Sequence, residues 1–581
     1  MLKQKLNAYV SAIITIGASL GLAGCGATED NSTAGVVVHP YASSIKINQL
    51  GYLPNASKIV AIPTVSARKF SVRNASGEVI KNGISSEPKP STLSGESISQ
   101  IDLSSIKDVG KYELSVDGID ETSTFEVINN RYEDLHKATL KAYYYNRAGL
   151  EITPELGGKF ARAMGHPDTE VIIHPSAASD ARPAGTVISS PKGWYDAGDY
   201  NKYIVNSGIS TYTLLQAFSQ HEDYYNSLNL NIPESNNNKA DILDEIAWNL
   251  EWMSTMQDPN DGGVYHKLTT LNFSGIIMPQ EGKESRFVVQ KTTTAALNFA
   301  AVLAKASRVY KNIDADLSEK YEKQALAAFK WASINPAVPY RQPEDVSTGQ
   351  YEDEYPIDEF AWASAELFLT TNSNSFLTSF NNVAVTPEVP SWSNSSALGY
   401  ISLLFDGKQL LPEQDYQRIK STFLLLAKRI LKEHEQSAYP NSMTKVDYVW
   451  GSNGVAMNKA MVMFQAYNLT KEMAYQVAGE GLLNYALGTN PTGFSYVTGF
   501  GKVTPMHPHH RPSEADNVVK PVPGFLVGGP HSGQQDKCDY VSDLPSQSYV
   551  DHWCSYASNE VTINWNAPLV FALAHMQSKY R

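Results

Sequence analysis

The apolar period of the chain changes at Tyr132, and that change constrains the fold more than any other feature. Before it, apolar residues come in short runs. "IKINQLGYLP", "KIVAIP", "KFSVRNASGEVI", "KYELSVDGI" and "STFEVI" read as strands, and "NASGE" and "VDGID" supply turn residues. Several short strands within about a hundred residues predict a β-sandwich over 45–130. Beyond Tyr132 the apolar residues recur at helical spacing. In "DILDEIAWNLEWMSTMQ", Ile242, Ile246, Leu250 and Met253 form one stripe. "TTAALNFAAVLAKASRVY", "PIDEFAWASAELFLTT", "DYQRIKSTFLLLAKRILKEHE", "AYQVAGEGLLNYALG" and "NEVTINWNAPLVFALAHMQ" read the same way. About eleven such segments fill 132–581, with no sequence repeat of fixed period. The chain is therefore expected to be mainly α, a large helical domain behind a small β-sandwich. Periodicity does not say how the helices close.

The first 25 residues read as an export signal. Lys3 and Lys5 give a positive start, an apolar run follows from Ala8 to Leu22, and "LAGC" ends at Cys25. This ending resembles a bacterial lipobox, which implies cleavage before Cys25 and lipid attachment to its sulfur. Gly26, in place of an aspartate, resembles sorting to the outer membrane. The chain is thus expected to be exported and lipid-anchored, with simple secretion as the alternative. Residues 26–44 are mostly small and polar and read as a tether. Cys538 and Cys554 are the other two cysteines, and an exported protein can hold them paired or as buried thiols.

Composition bears on the partner. The net charge is −13 without any dense Lys/Arg run, which argues against nucleic acid and disfavours an anionic polymer. The 32 tyrosines and 9 tryptophans offer flat amphipathic surface suited to a neutral polar ligand, although rings also fill cores.

Three stretches carry chemistry. In "PKGWYDAGDYNKY" (191–203), Gly193 and Gly198 allow tight turns that could aim Asp196 and Asp199 at one small volume. Two carboxylates facing one water can hold and deprotonate it; the plain alternative is a loop whose aspartate caps the helix after Tyr200. In "YVDHWCSYASNEVTINWNA" (549–567), Glu560 stands among Tyr549, Trp553, Tyr556 and Trp565. Desolvation by rings and the neighbouring Asp551 raise the pKa of such an acid, whereas a helix N-terminus lowers it, and sequence leaves that balance open. In "MHPHHRPS" (506–513), Arg511 beside His507, His509 and His510 argues against a metal and for hydrogen bonding to sugar hydroxyls or a carboxylate.

These stretches, in this order, resemble glycoside hydrolase family 9, the inverting cellulases. The segment 549–567 matches the family's C-terminal signature, and "SYVTGFG" leading into "HHR" resembles its His signature, with Val503 departing from the usual polar residue. "DGGVYHKLT", "DEFAWASAELF" and "VWGSN" also resemble family segments, and the likeness covers 132–581. Residues 45–128, opening on "INQLGYLP", resemble the immunoglobulin-like module that precedes many such domains. The resemblance implies an (α/α)6 barrel and endo-acting cleavage of β-1,4-glucosidic bonds in cellulose-like or other β-glucans. It implies that Asp199 is the general base, Asp196 its partner in holding water, and Glu560 the general acid. It also places His509 and Arg511 at the sugar, Asp551 in support of this network, and Trp565 near the cleaved bond. Trp194 and Tyr203 are expected to wall the cleft or simply to pack. An inverting site needs about 6.5–9.5 Å between acid and base to admit the water.

Relatives with this module often carry a zinc site with cysteine ligands. Here "FARAMGHPDTEVIIHPSAAS" keeps His166, Asp168 and His174 but has no cysteine, so a polar loop is the favoured reading over zinc. "STGQYEDEYPIDE" (347–359) supplies oxygens enough for structural calcium. The chemistry itself is expected to need no cofactor. The chain is expected to act as a monomer, and the lack of a visible carbohydrate-binding module or dockerin-like repeat points to soluble or amorphous glucan. The alternatives are exo-action on cello- or glucosamine-containing oligosaccharides, a non-catalytic glycan-binding lipoprotein, and a structural surface protein that uses its module for adhesion.

Overall fold

The computed structural model describes residues 43–383 and 385–580. The leader, Cys25 and most of the tether lie outside the described residues.

The first part is a β-sandwich. One sheet holds β1 (Ile59–Pro63), β5 (Glu96–Asp102) and β4 (Lys89–Ser91). The other holds β3 (Val79–Ile84), β2 (Lys69–Asn74), β6 (Gly110–Val116) and β7 (Ser123–Val127). Every pairing within the two sheets is antiparallel. Alternation explains which residues meet: Val60 and Ile62 of β1 face the sandwich interior with Phe70, Val72, Leu114 and Phe125. Ala61, on the opposite face, packs with Ile98 of β5 and with Ala438 and Tyr439 of the following domain.

"IKINQLGYLP" reads as a strand but makes only isolated bridges, Lys46 with Ala61 and Tyr52 with Val127. A turn closed by the Gly51 N–H on the Asn48 carbonyl interrupts it. Its polar groups are used instead to dock the sandwich onto the helical domain. Asn48 donates to the Asn484 side chain at 2.8 Å, the Gln49 N–H to the Leu487 carbonyl at 2.9 Å, and Lys46 Nζ to the Pro491 carbonyl at 3.1 Å. The Gln49 carboxamide oxygen also accepts from the Lys502 and Val503 N–H groups.

The helical domain has twelve helices of ten or more residues among the described residues. The outer members are α1 (Glu133–Tyr145), α3 (Asp241–Thr255), α5 (Ala315–Ile334), α7 (Asn374–Val383), α9 (Glu413–Gln436) and α11 (Met473–Ala486). They alternate along the chain with inner helices α2 (Ile204–Gln220), α4 (Thr293–Tyr310), α6 (Ile357–Thr371), α8 (Ser396–Phe405), α10 (Ser452–Thr470) and α12 (Ile563–Tyr580). This is an (α/α)6 barrel. The two rings differ in sequence as their surroundings require. Outer α9 buries only the stripe Tyr416, Ile419, Phe423, Leu426, Ala427 and Ile430. Inner α2 is buried continuously from Ile204 to Phe218. Around the ring α12 packs on α2, α2 on α4, α4 on α6 and α6 on α8, and α10 lies beside α12. A small sheet of order β10 (Lys202–Tyr203), β11 (Lys267–Thr269), β12 (Arg286–Val288), β8 (Val171–Ile173), β9 (Val187–Ile188) precedes and follows α2 and α3 in sequence. It fixes the loop that carries Asp196 and Asp199. No helix among the described residues is long and apolar enough to cross a membrane.

Candidate active site

One peptide joins the three stretches. The Gly198 N–H points to Glu560 Oε1 at 3.4 Å, and the Gly198 carbonyl accepts from Arg511 Nη1 at 2.7 Å and from the Arg511 N–H at 3.2 Å. A side chain at 198 would collide with the carbonyl oxygen of His509, so only glycine lets the aspartate loop lie against the histidine loop. Glu560 is held from two sides: residue 560 bridges His509 in parallel, and its carbonyl accepts from the Gly528 N–H at 2.8 Å. The Ile563 N–H at the start of α12 donates to the Asp196 carbonyl at 2.9 Å. Residues more than three hundred positions apart are thereby fixed around one cleft.

The two aspartates have different surroundings. Asp196 is 1 % exposed and accepts from Asn206 Nδ2 at 2.6 Å on one oxygen and from the Tyr351 hydroxyl at 2.6 Å on the other. Burial, and after it the charge of Asp199, push its pKa up to about 8. Asp199 is 5 % exposed, and one of its oxygens, Oδ2, accepts from Asn201 and, at 3.2 Å, from the Tyr203 hydroxyl. Burial and the charge of Asp199 both favour the protonated form of Asp196. Glu560 is raised well above the ordinary glutamate value, first by burial and then by Asp199 and Asp196. The balance that sequence left open therefore falls toward a protonated Glu560.

The remaining expected residues sort by what they touch. His509 lies 4.2 Å, ring centre to ring centre, from Trp553 and nearly parallel to it. Its Nδ1 is 2.7 Å from the Trp553 carbonyl, and burial lowers its pKa. Arg511 donates to the carbonyls of Ser274, at 2.9 Å, and Gly198, as above, so it fastens these loops together. Asp551 accepts from the Met506 and His507 N–H groups at 2.8 and 2.9 Å and from Asn559 at 3.0 Å; it orders the histidine loop. Trp565 is half-buried, its ring lying where side chains at Gly451 and Gly454 would stand. Trp194 and Tyr203 are expected to wall the cleft or simply to pack, and for both, contact with substrate gives way to packing. Trp194 is fully buried, its indole donating to Glu245 at 2.7 Å, and so belongs to the core. Tyr203 is 1 % exposed and serves Asp199 from behind.

Several functional groups gave no sequence signal. Tyr351 and Asn206, which hold Asp196, lie in an acidic loop and in the first turn of α2. Trp392 meets the Tyr351 ring edge-on at 5.1 Å, and Trp450 packs on Tyr556 at 5.2 Å.

His166, Asp168 and His174 do not converge. Asp168 is ion-paired with Lys202 at 2.7 Å and Arg286 at 3.1 Å. His166 bonds the Tyr195 hydroxyl, and His174 bonds Ser176 and Asp345. The acids of the 347–359 loop do converge: Asp353, Asp358 and Glu359 bring carboxylate oxygens within 4.8 Å of one another. Both Glu359 oxygens and Asp353 Oδ2 are buried without a hydrogen-bond partner. Burial and the adjacent acids push Glu359 well above its ordinary pKa. Orphaned hard oxygens of this kind fit a divalent oxygen-seeking cation.

A family model described as "Glycosyl hydrolase family 9" matches residues 132–573, and one for the "Cellulase N-terminal ig-like domain" matches 41–121. The chain belongs to glycosyl hydrolase family 9. It is 42% identical to the "Xyloglucan-specific endo-beta-1,4-glucanase BoGH9A" of Bacteroides ovatus, over 91% of this chain and 92% of that protein. It is 30% identical to "Endoglucanase D" of Acetivibrio thermocellus, over 99% and 87%. Among solved structures, "Bacteroides ovatus GH9" superimposes with a TM-score of 0.87 at 40% identity, covering 93% of this chain and 99% of that one. A thermostable endoglucanase from Alicyclobacillus acidocaldarius gives 0.84 at 28% identity, covering 92% and 99%. The family 9 barrel thus carries its carboxylates on a frame shared over nearly the whole chain.

Proposed function

We infer that this family 9 enzyme is an endo-acting, inverting hydrolase of β-1,4-glucosidic bonds, and that its substrates include glucans substituted in the manner of xyloglucan. The observation that carries the reading is the Gly198 peptide, whose N–H ties Glu560 to the turn between Asp196 and Asp199; burial and the two aspartates push the Glu560 carboxyl toward its protonated form. The relative named for xyloglucan supports the substrate.

Glu560 gives its proton to the glycosidic oxygen as the bond to the anomeric carbon breaks. A water held between Asp199 and Asp196 loses a proton to Asp199 as its oxygen bonds that carbon from the opposite face, which inverts the configuration. Each proton transfer contributes about 10²–10⁴-fold. Asn206 and Tyr351 hold Asp196 in place, and Asn201 and Tyr203 do the same for Asp199. Asp353, Asp358 and Glu359 are proposed to hold calcium; the ion would neutralise the crowded acids of the loop that ends at α6 and presents Tyr351. Chelation with EGTA should lower the melting temperature of wild type, and Glu359→Ala should abolish that response; an identical melting curve with and without chelator would refute the site. Cys25 is proposed to carry the lipid, on the strength of the "LAGC" ending. Incorporation of a labelled fatty acid, lost in Cys25→Ser, tests it, and incorporation that survives the substitution would refute it.

The test of function is reducing-sugar release and viscosity on xyloglucan, carboxymethyl-cellulose, mixed-linkage glucan and short cello-oligosaccharides, with Asp199→Ala as control. Rapid viscosity loss on xyloglucan, absent in the control, is expected. Single sugars released only from short oligomers would overturn endo-action in favour of the exo alternative.

A further inference from the structure

The loop that carries Trp553 is tied down more firmly than its exposure would suggest. Trp553 is half-buried and Cys554, its neighbour, is exposed, yet Cys554 is bonded to Cys538. The Cys538 N–H donates to Asp536 Oδ1, and Asp536 Oδ2 accepts from the Tyr540 hydroxyl, the Ser555 hydroxyl and the Ala557 N–H at 2.8–3.0 Å. Covalent bond and carboxylate together close the 538–554 segment beside one face of His509. On that face the Trp553 indole lies 4.2 Å from the imidazole at an interplanar angle of 19°. The carbonyl of the same residue lies 2.7 Å from Nδ1.

A carbonyl can only accept, so Nδ1 carries a hydrogen. Neutral His509 therefore offers Nε2 as an acceptor. We propose that Trp553, held by the Cys538–Cys554 disulfide, is a positioning residue that fixes His509 in orientation and tautomer as an acceptor for a substrate hydroxyl. This rests on the reading that His509 contacts the sugar. The indole covers the ring from water, and the buried ring favours its neutral form. The charged groups facing it are Arg511, which opposes protonation, and Asp199 and Asp536, which favour it. Nothing in the mechanism requires a cysteine, so the pair serves the geometry of the site.

The experiment measures kcat/KM against pH on a soluble β-glucan for wild type, Trp553→Ala, Trp553→Phe, Cys538→Ser/Cys554→Ser and His509→Ala, each with its melting temperature. A stacked pair lost from the site should lower kcat/KM about tenfold in Trp553→Ala. The acid limb of its profile should move to higher pH, since a hydrated imidazole takes a proton more readily. Trp553→Phe should recover most of both effects. The double cysteine variant should fall in the same direction as Trp553→Ala. Wild type treated with tris(2-carboxyethyl)phosphine should do the same; the phosphine takes oxygen from water to become its oxide, and the disulfide becomes two thiols. A Trp553→Ala enzyme with unchanged kcat/KM and acid limb would overturn the proposal. So would a loss that appears only as a lower melting temperature with the acid limb unmoved. Should Trp553→Ala not fold, Trp553→Phe with a wild-type profile and a disulfide-free enzyme of unchanged kcat/KM would overturn it equally. If His509→Ala keeps wild-type activity, the sugar-contact reading beneath the proposal fails first, and is distinguished in that way.

Discussion

Gly198 does for this site what no side chain could: its N–H faces the acid, its carbonyl holds Arg511, and its bare Cα admits His509. At this scale the chemistry rests on Glu560 being protonated. Its pKa is raised, so activity should persist below that value and disappear as pH rises through it. Glu560→Gln should lower kcat on an unactivated glucan by about a thousandfold. On an aryl glycoside whose leaving group needs no proton, it should remove the alkaline limb of the pH profile while leaving substantial rate. An unchanged alkaline limb would place the proton elsewhere. The residues alone leave Asp196 and Asp199 open between a water-holding pair and a helix cap, and Glu560 between a capping acid and a buried one; their roles come from the resemblance to family 9. Tyr351 and Asn206 were not legible, because a tyrosine in an acidic loop and an asparagine in a helix look ordinary until the fold brings them to Asp196. The sequence leaves Trp194 open between walling the cleft and packing; the Glu245 carboxylate, which accepts from its indole, settles it in the core.

Among the elements, the outer helices were the most legible. Their stripes mark a face toward the barrel and a face toward water, as in α9. Inner helices such as α4 are buried nearly all round, so the segment read as a helix but its place in a closed ring was not visible. The barrel wall also holds a buried histidine group between its outer and inner helices. His136 of α1 is lowered to about 3 and His221, at the end of α2, to about 4; His575 of α12 falls well below its ordinary value. Burial is the first cause in each. All three stay neutral in the folded protein while an unfolded chain would protonate them near 6.5. Stability should therefore be full above about pH 6.5 and fall as pH drops toward 4, by about 1.4 kcal/mol for each pKa unit of difference per histidine. Chemical denaturation across that range checks this, and His221→Gln should flatten the slope. A midpoint that does not change between pH 7 and 4.5 would exclude the effect.

The described residues form a barrel with a sandwich bonded to its side. Lys46, Asn48 and Gln49 reach residues 484–503, Glu96 accepts from the Tyr439 hydroxyl at 2.8 Å, and Ser546 and Gln547 donate to the Leu93 and Ser94 carbonyls. The segment held by Gln49 leads directly into the histidine loop. Removing 43–128 should lower the melting temperature of the barrel and its activity together, because buried polar groups on 484–503 lose their partners. A truncated barrel with the stability of the full chain would show the module to be a passenger. The central claim, that Glu560 and Asp199 act from opposite faces of the sugar, is tested most directly by the anomer first released. Proton NMR of a cello- or xyloglucan oligosaccharide during cleavage should show the α-anomeric hemiacetal first, with the β form growing in only by mutarotation. A β-anomer appearing first would mean retention, and would contradict the roles assigned here to both residues.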